Sequence, residues 1–159
     1  MITVKLITIG NLKESYLRQA EAEYAKRLGG FCRFQSVELK EAKLPESPSE
    51  SEIEAALLSE SKAVLGAVPP RAYKIAMCVE GKQLPSEGLA SLIERACDSH
   101  SEICFIIGSS HGLHKSVKAA CDYRLSVSEL TFPHQLMRVI LLEAVYRGFN
   151  ILKGTHYHK

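Results

Sequence analysis

Apolar residues follow two alternating spacings along the chain, and these spacings predict strands and helices in turn. Alternating or continuous apolar runs, as at 2–9 and 103–107, are typical of strands. Apolar residues three and four apart, as between Leu12 and Leu28, are typical of amphipathic helices. The predicted strands lie at 2–9, 31–39, 72–79, 103–107 and 125–127, and the predicted helices at 12–28, 51–64, 86–97, 115–121 and from near Pro133 through Phe149.

Turn and capping residues mark where these elements end. Gly29-Gly30 ends the first helix, and Ser51 with Glu54 has the spacing of a capping box at the start of the second. Glu80-Gly81-Lys82 predicts a turn after the third strand. Because strands and helices alternate, we predict an α/β fold with a mostly parallel sheet covered by helices on both faces. No repeat or linker divides the sequence, so residues 1–159 are predicted to form one domain.

Composition narrows the function classes only a little. No apolar run is long enough to cross a bilayer and no signal peptide is visible, which predicts a cytoplasmic protein without membrane contact. The five cysteines have no Cys-x-x-Cys spacing, so we interpret them as structural thiols. The net charge is only +2, but residues 111–159 carry seven basic and three acidic residues and five of the six histidines. That region either faces a polyanion or is an ordinary solvated surface.

Ligands of open parallel sheets bind beyond the carboxyl ends of the strands. The ends with suitable chemistry are residues 77–81, 107–113 and 127–132. Gly108 and Gly112 would allow close approach of backbone to a ligand, although glycines alone also fit a plain turn, and the hydroxyl residues before Pro133 also fit helix capping. Neither a dinucleotide-binding fingerprint nor a P-loop is present. We predict that these turns converge on one cavity, closed over by the end of the chain.

Titratable groups concentrate in the last predicted helix and beyond it. His134 and Arg138 are four residues apart, and therefore lie on one helix face. Glu143 and Arg147 have the same spacing, which is usually a surface ion pair. Histidines flank Tyr157, but no carboxylate or thiol completes a metal site, so no metal is predicted. The absence of a G-x-S-x-G elbow argues against a serine hydrolase.

Three segments together resemble one known family. FIIGSSHGL, LSVSELTFPHQLMRVILLE and YRGFNILKGTHYHK resemble the ribosomal RNA large-subunit methyltransferase H family, of the SPOUT class of S-adenosylmethionine-dependent methyltransferases. The resemblance covers the whole length. It implies an α/β domain with a C-terminal trefoil knot, a homodimer with the cofactor pocket near the subunit contact, and methylation of N3 of a pseudouridine in 23S rRNA on the assembled ribosome.

The resemblance also implies residue roles. His134 and His158 become candidates to accept the N3 proton, Arg138 would hold a base carbonyl or a phosphate, and Tyr157 would stack on the flipped base. Ser109 stands where the family usually has a second glycine, which leaves the geometry of that turn open. The residues that the resemblance assigns to S-adenosylmethionine are Met77, Gly108, Val127, Ser128, Glu129, Leu130, Thr131 and Phe132, with Gly112 shaping the pocket.

Two other functions fit the same sequence. A SPOUT methyltransferase acting on a different RNA, such as transfer RNA, would share the pocket and differ in the methylated nucleoside. A ribosome-binding factor without catalysis could keep the fold and would not bind S-adenosylmethionine.

Overall fold

The computed structural model describes every residue from Met1 to Lys159. Strands and helices alternate along the chain as predicted. The elements are β1 Thr3–Ile9, α1 Ser15–Leu28, β2 Arg33–Leu39, α2 Glu50–Ala67, β3 Tyr73–Gln83, α3 Ser86–Ser99, β4 Glu102–Ile107, α4 Lys115–Ala120, β5 Tyr123–Ser126 and α5 His134–Leu152.

The five strands form one sheet in the order β2-β1-β4-β3-β5, and every neighbouring pair is parallel. Successive side chains of a strand point to opposite faces, and both faces of this sheet are apolar. In β4, Ile103 and Phe105 pack in a core with α3 and α5, whereas Cys104 and Ile106 pack in a second core with α2 and α4. The continuous apolar run of β4 is therefore buried on both sides, and the predicted α/β architecture is confirmed.

The capping box of α2 lies two residues before the predicted one. The Ser49 side chain accepts from the Glu52 backbone N–H, and the Glu52 carboxylate accepts from the Ser49 N–H, both at 3.2 Å. Ser51 and Glu54 have the same spacing, so the pattern matches twice and the first match is the one used. Predicting the cap at Ser51 was wrong.

A turn at Glu80-Gly81-Lys82 was also predicted wrongly. β3 continues to Gln83, and its pairing with β5 shifts register between Met77 and Lys82. A Cβ placed on Gly81 would come within 2.8 Å of the backbone of β5. Gly81 therefore allows the backbones of β3 and β5 to approach at a bulge. A glycine within a strand can mark such a bulge as well as a turn.

The last strand and helix lie within three residues of their predicted positions. β5 ends at Ser126, so Val127 follows it, and Pro133 occupies the N-cap position just before α5.

No helix is both long enough and apolar enough to cross a bilayer. All five cysteines are free thiols, and burial raises the pKa of Cys32 and of Cys104 to about 12. The trefoil knot stays a prediction, because strand order alone does not define threading.

Candidate active site at the carboxyl edge of the sheet

The three predicted strand ends meet around one cavity of about 620 Å³. Its lining consists of residues 77–80 of β3, residues 107–113 from the end of β4 onward, residues 125–128 and 130–134 from the end of β5 to the start of α5, Lys118 of α4 and Met137 of α5. A cavity of this size fits a ligand as large as a nucleoside with a side chain. Of the residues predicted to hold the cofactor, Glu129 is exposed and does not line the cavity, and the others do.

Residues 108–112 form a tight turn, called here the glycine turn. Ser109 and Gly112 pair as an isolated antiparallel bridge, with the Gly112 N–H donating to the Ser109 carbonyl at 2.9 Å. A Cβ on Gly108 would overlap the Gly112 carbonyl, and Gly112 has a φ of +84°. Both positions therefore require glycine for backbone reasons.

Ser109 connects the glycine turn to α2 through a hydrogen bond. Its hydroxyl donates to Glu60 Oε1 at 3.0 Å, and Glu60 Oε2 accepts from the Ala42 N–H at 3.0 Å. Ser109 and Glu60 are each only 6% exposed. The serine thus makes a buried, charge-assisted hydrogen bond to α2. No sequence pattern points to Glu60, because the two partners are 49 residues apart.

Residues 127–133, called here the proline loop, form the opposite wall. Ser128 organises this segment locally, since its hydroxyl accepts from the Leu130 N–H and its carbonyl accepts from the Ser126 hydroxyl, both at 3.0 Å. Leu130 itself is 71% exposed. The loop therefore combines two local hydrogen bonds with an apolar side chain that is exposed to solvent.

His134 is the one predicted catalytic residue that lines the cavity. It lies in the first turn of α5 and is half-buried. Burial lowers the pKa of its imidazole, partly offset by the nearby carboxylate of Glu41, so the ring is mainly neutral at pH 7. A neutral imidazole can accept a proton, which the predicted role requires.

Arg138 is completely buried and does not line the cavity. Its Nη1 donates to Glu38 Oε2 at 2.8 Å, and its Nη2 donates to the Gly10 carbonyl. Glu21 lies at 3.9 Å from Nη1. The guanidinium therefore joins α5 to the ends of β1 and β2. The predicted contact with a base or a phosphate is not available in this arrangement, and Arg138 instead holds the turn that carries His134.

Tyr157 and His158 pack on helices and do not line the cavity. The Tyr157 hydroxyl donates to Glu143 Oε1 at 3.0 Å, and the Arg147 guanidinium lies 4.7 Å from the centre of its ring. His158 Nε2 lies 3.0 Å from Glu87 at the start of α3. The prediction that the end of the chain closes the cavity is therefore wrong within one copy of the protein.

The chain is similar to known methyltransferases over nearly its whole length. Residues 2–158 match the family described as "Predicted SPOUT methyltransferase". The protein named "Ribosomal RNA large subunit methyltransferase H" from Streptococcus thermophilus (strain ATCC BAA-491 / LMD-9) is 50% identical over 157 residues, which cover 98% of this chain and 99% of that protein. Its counterparts from strains CNRZ 1066 and ATCC BAA-250 / LMG 18311 have the same identity and coverage.

Proposed function

The chain belongs to the SPOUT methyltransferase family, and from this premise we propose that it methylates large-subunit ribosomal RNA. The methyl donor is S-adenosylmethionine and the acceptor is N3 of a pseudouridine in 23S rRNA, on the assembled ribosome in the cytoplasm. The observation that carries the proposal is the cavity, because two of the three segments that resemble the family, residues 105–113 and 125–143, form most of its wall. No metal takes part in the proposed reaction.

The cavity suits an adenosyl ligand for two reasons. Its glycine turn has no side chain at Gly112, where the space that a Cβ would occupy is open, so a ligand can approach the backbone there directly. Its remaining wall is mostly apolar or hydroxyl-bearing, with Met77, Phe132 and Thr131 among the side chains. Flat purine rings bind between apolar groups and find their hydrogen bonds at backbone edges.

Bound S-adenosylmethionine would supply a methyl group that is already activated on its sulfonium sulfur. The protein then has to align the acceptor and remove one proton. The methyl group would pass from the sulfonium sulfur to N3, and the N3 proton would have to be accepted by a group of the protein. We assign the proton to His134, because it is at the cavity and is mainly neutral. Arg138 is a positioning residue in this proposal, because it holds α5, and with it His134, against the ends of β1 and β2.

The enzyme acts as a homodimer in this proposal. Tyr157 and His158 lie away from the cavity of their own chain, so a catalytic role for either requires the cavity of a second copy. The exposed Leu130 in the proline loop supplies apolar surface for such a contact. Mixed dimers test this: Gly108→Ala disables one cavity and Tyr157→Phe with His158→Ala disables the tail. Regained methylation on mixing the two inactive variants supports sharing, and no recovery in a verified mixed dimer contradicts it.

The reaction itself is tested with radiolabelled S-adenosylmethionine and three acceptors: intact ribosomes lacking the modification, an isolated 23S stem-loop, and transfer RNA. We expect label in a 23S pseudouridine, with ribosomes the best acceptor, since a chain of net charge +2 has little excess positive charge for binding naked RNA. Label in transfer RNA would support the alternative substrate. Failure to bind S-adenosylmethionine in calorimetry would support a ribosome-binding factor.

A further inference from the structure

The cavity wall contains one carboxylate side chain and one ammonium side chain. Glu80 in the bulge of β3 and Lys118 in α4 both line it, and the remaining side chains there are apolar, hydroxyl, thiol or imidazole groups. Lys118 Nζ donates to Glu80 Oε1, so the charges form an ion pair. The hydrogen bond from Lys118 lowers the pKa of Glu80, which keeps this carboxyl group ionised at neutral pH.

The fold does not depend on this ion pair. The Glu80 side chain is 60% exposed, and ion pairs of such exposure add little to stability. α4 is already fixed by the buried Val117 and by the His114 side chain, which accepts from the Ser116 N–H at 3.1 Å. The pair can therefore open at small cost.

The proposed cofactor carries its own pair of opposite charges. The amino-acid end of S-adenosylmethionine has an ammonium and a carboxylate on one carbon, and a lysine beside a glutamate matches them. Resting on the proposed function, we propose that Lys118 and Glu80 form the subsite for this amino-acid end. When the ligand binds, Lys118 donates to its carboxylate and Glu80 accepts from its ammonium. The ion pair between the two side chains is exchanged for two pairs with the ligand.

Two natural thioethers isolate this subsite. S-adenosylhomocysteine keeps the amino-acid end, and 5′-methylthioadenosine lacks it, while both keep the adenosine. Calorimetry on the full chain should show that Lys118→Met weakens S-adenosylhomocysteine roughly 10- to 100-fold, the usual effect of losing a hydrogen bond to a charged group. Binding of 5′-methylthioadenosine should change less than about twofold, because the lost contact lies outside the adenosine.

Matched variants make the result specific. Lys115→Met alters an exposed lysine of the same helix that does not line the cavity, and should leave both affinities unchanged. Lys118→Arg keeps the charge and should keep the preference for S-adenosylhomocysteine. Glu80→Gln should weaken that ligand and spare the other. Thermal midpoints show whether each variant is folded.

The outcomes separate the subsite from the function. If Lys118→Met weakens both ligands equally, or neither, the subsite is wrong while the proposed function stands. The same holds if Lys118→Met impairs only ribosome methylation, because Lys118 then contacts RNA phosphate. If the unaltered chain binds neither ligand, the proposed function fails and the subsite fails with it.

Discussion

Replacing Ser109 with alanine should destabilise the protein by about 1.5–3 kcal/mol, the usual loss for a hydrogen bond to a charged group. The substitution removes the hydroxyl that donates to Glu60 Oε1 at 3.0 Å and leaves the carboxylate in place. Because Glu60 is only 6% exposed, water cannot fully replace the lost donor. The remaining bond, from the Ala42 N–H, reaches only the other carboxylate oxygen.

A double-mutant cycle isolates this interaction. Glu60→Met removes the charge at similar length, so the hydroxyl of Ser109 loses its acceptor. Replacing both partners by apolar groups costs less than the sum of the single changes, since neither is left facing an unpaired group. We expect a coupling free energy of about 1–2 kcal/mol between the two sites.

Urea unfolding measures these differences through a shift in midpoint at constant slope. In a chain of this size, a loss of 2 kcal/mol lowers the thermal midpoint by about 4–8 °C. Ser59→Ala is the matched control, because Ser59 is exposed on the same helix as Glu60, and it should change stability by less than about 0.5 kcal/mol. A Ser109→Ala protein as stable as this control, or strictly additive single changes, would refute the buried bond.

Three further predictions concern the site. Gly108→Ala should abolish binding of S-adenosylhomocysteine in calorimetry because its Cβ overlaps the glycine turn, and retained binding would contradict a role of this turn in holding the ligand. The control Gly66→Ala, in open space on α2, should retain binding and stabilise the helix by up to about 1 kcal/mol. Arg138→Met should cost about 1–3 kcal/mol in urea unfolding, less than for a fully buried pair because the Glu38 side chain is 41% exposed, and unchanged stability would show that the ion pair is not structural. Burial lowers the pKa of His134 from 6.5, so the methylation rate should fall only below that pH, as the imidazole gains a proton. His134→Gln should remove this loss of rate at acid pH. Because of the same shift, the contribution of His134 to stability is full above pH 6.5 and is lost as pH falls through the pKa of the folded state.

The periodicity of the sequence was sufficient to predict five strands in a parallel sheet and the segments that line the cavity. The ends of β4 and β5 were visible as apolar runs that stop near glycine or hydroxyl residues, and parallel strands bring their carboxyl ends to one edge. Errors arose where one pattern has two meanings. Gly81 fits a turn as well as a bulge, and the capping pattern matches at both Ser49 and Ser51.

Contacts between residues that are far apart in sequence could not be predicted from the sequence alone. Glu38 and Arg138 are 100 residues apart, and their contact depends on how α5 is placed on the ends of β1 and β2. The position of Tyr157 similarly depends on which face of α5 is free, and helical spacing does not give the register between helices. His134, next to a predicted strand-end loop, was placed correctly at the cavity because only local geometry was needed.

The pairing of β1 with β4 has a consequence for how the protein is made. Thr3 lies opposite Glu102 and Ile7 opposite Ile106, so the inner edge of β1 has no neighbour until two-thirds of the chain has been synthesised. During that interval a nascent polypeptide exposes an apolar, unpaired edge that other chains can join. Folding that waits for such remote partners is slow, and a chaperone that shields the growing amino-terminal half should raise the yield of native enzyme.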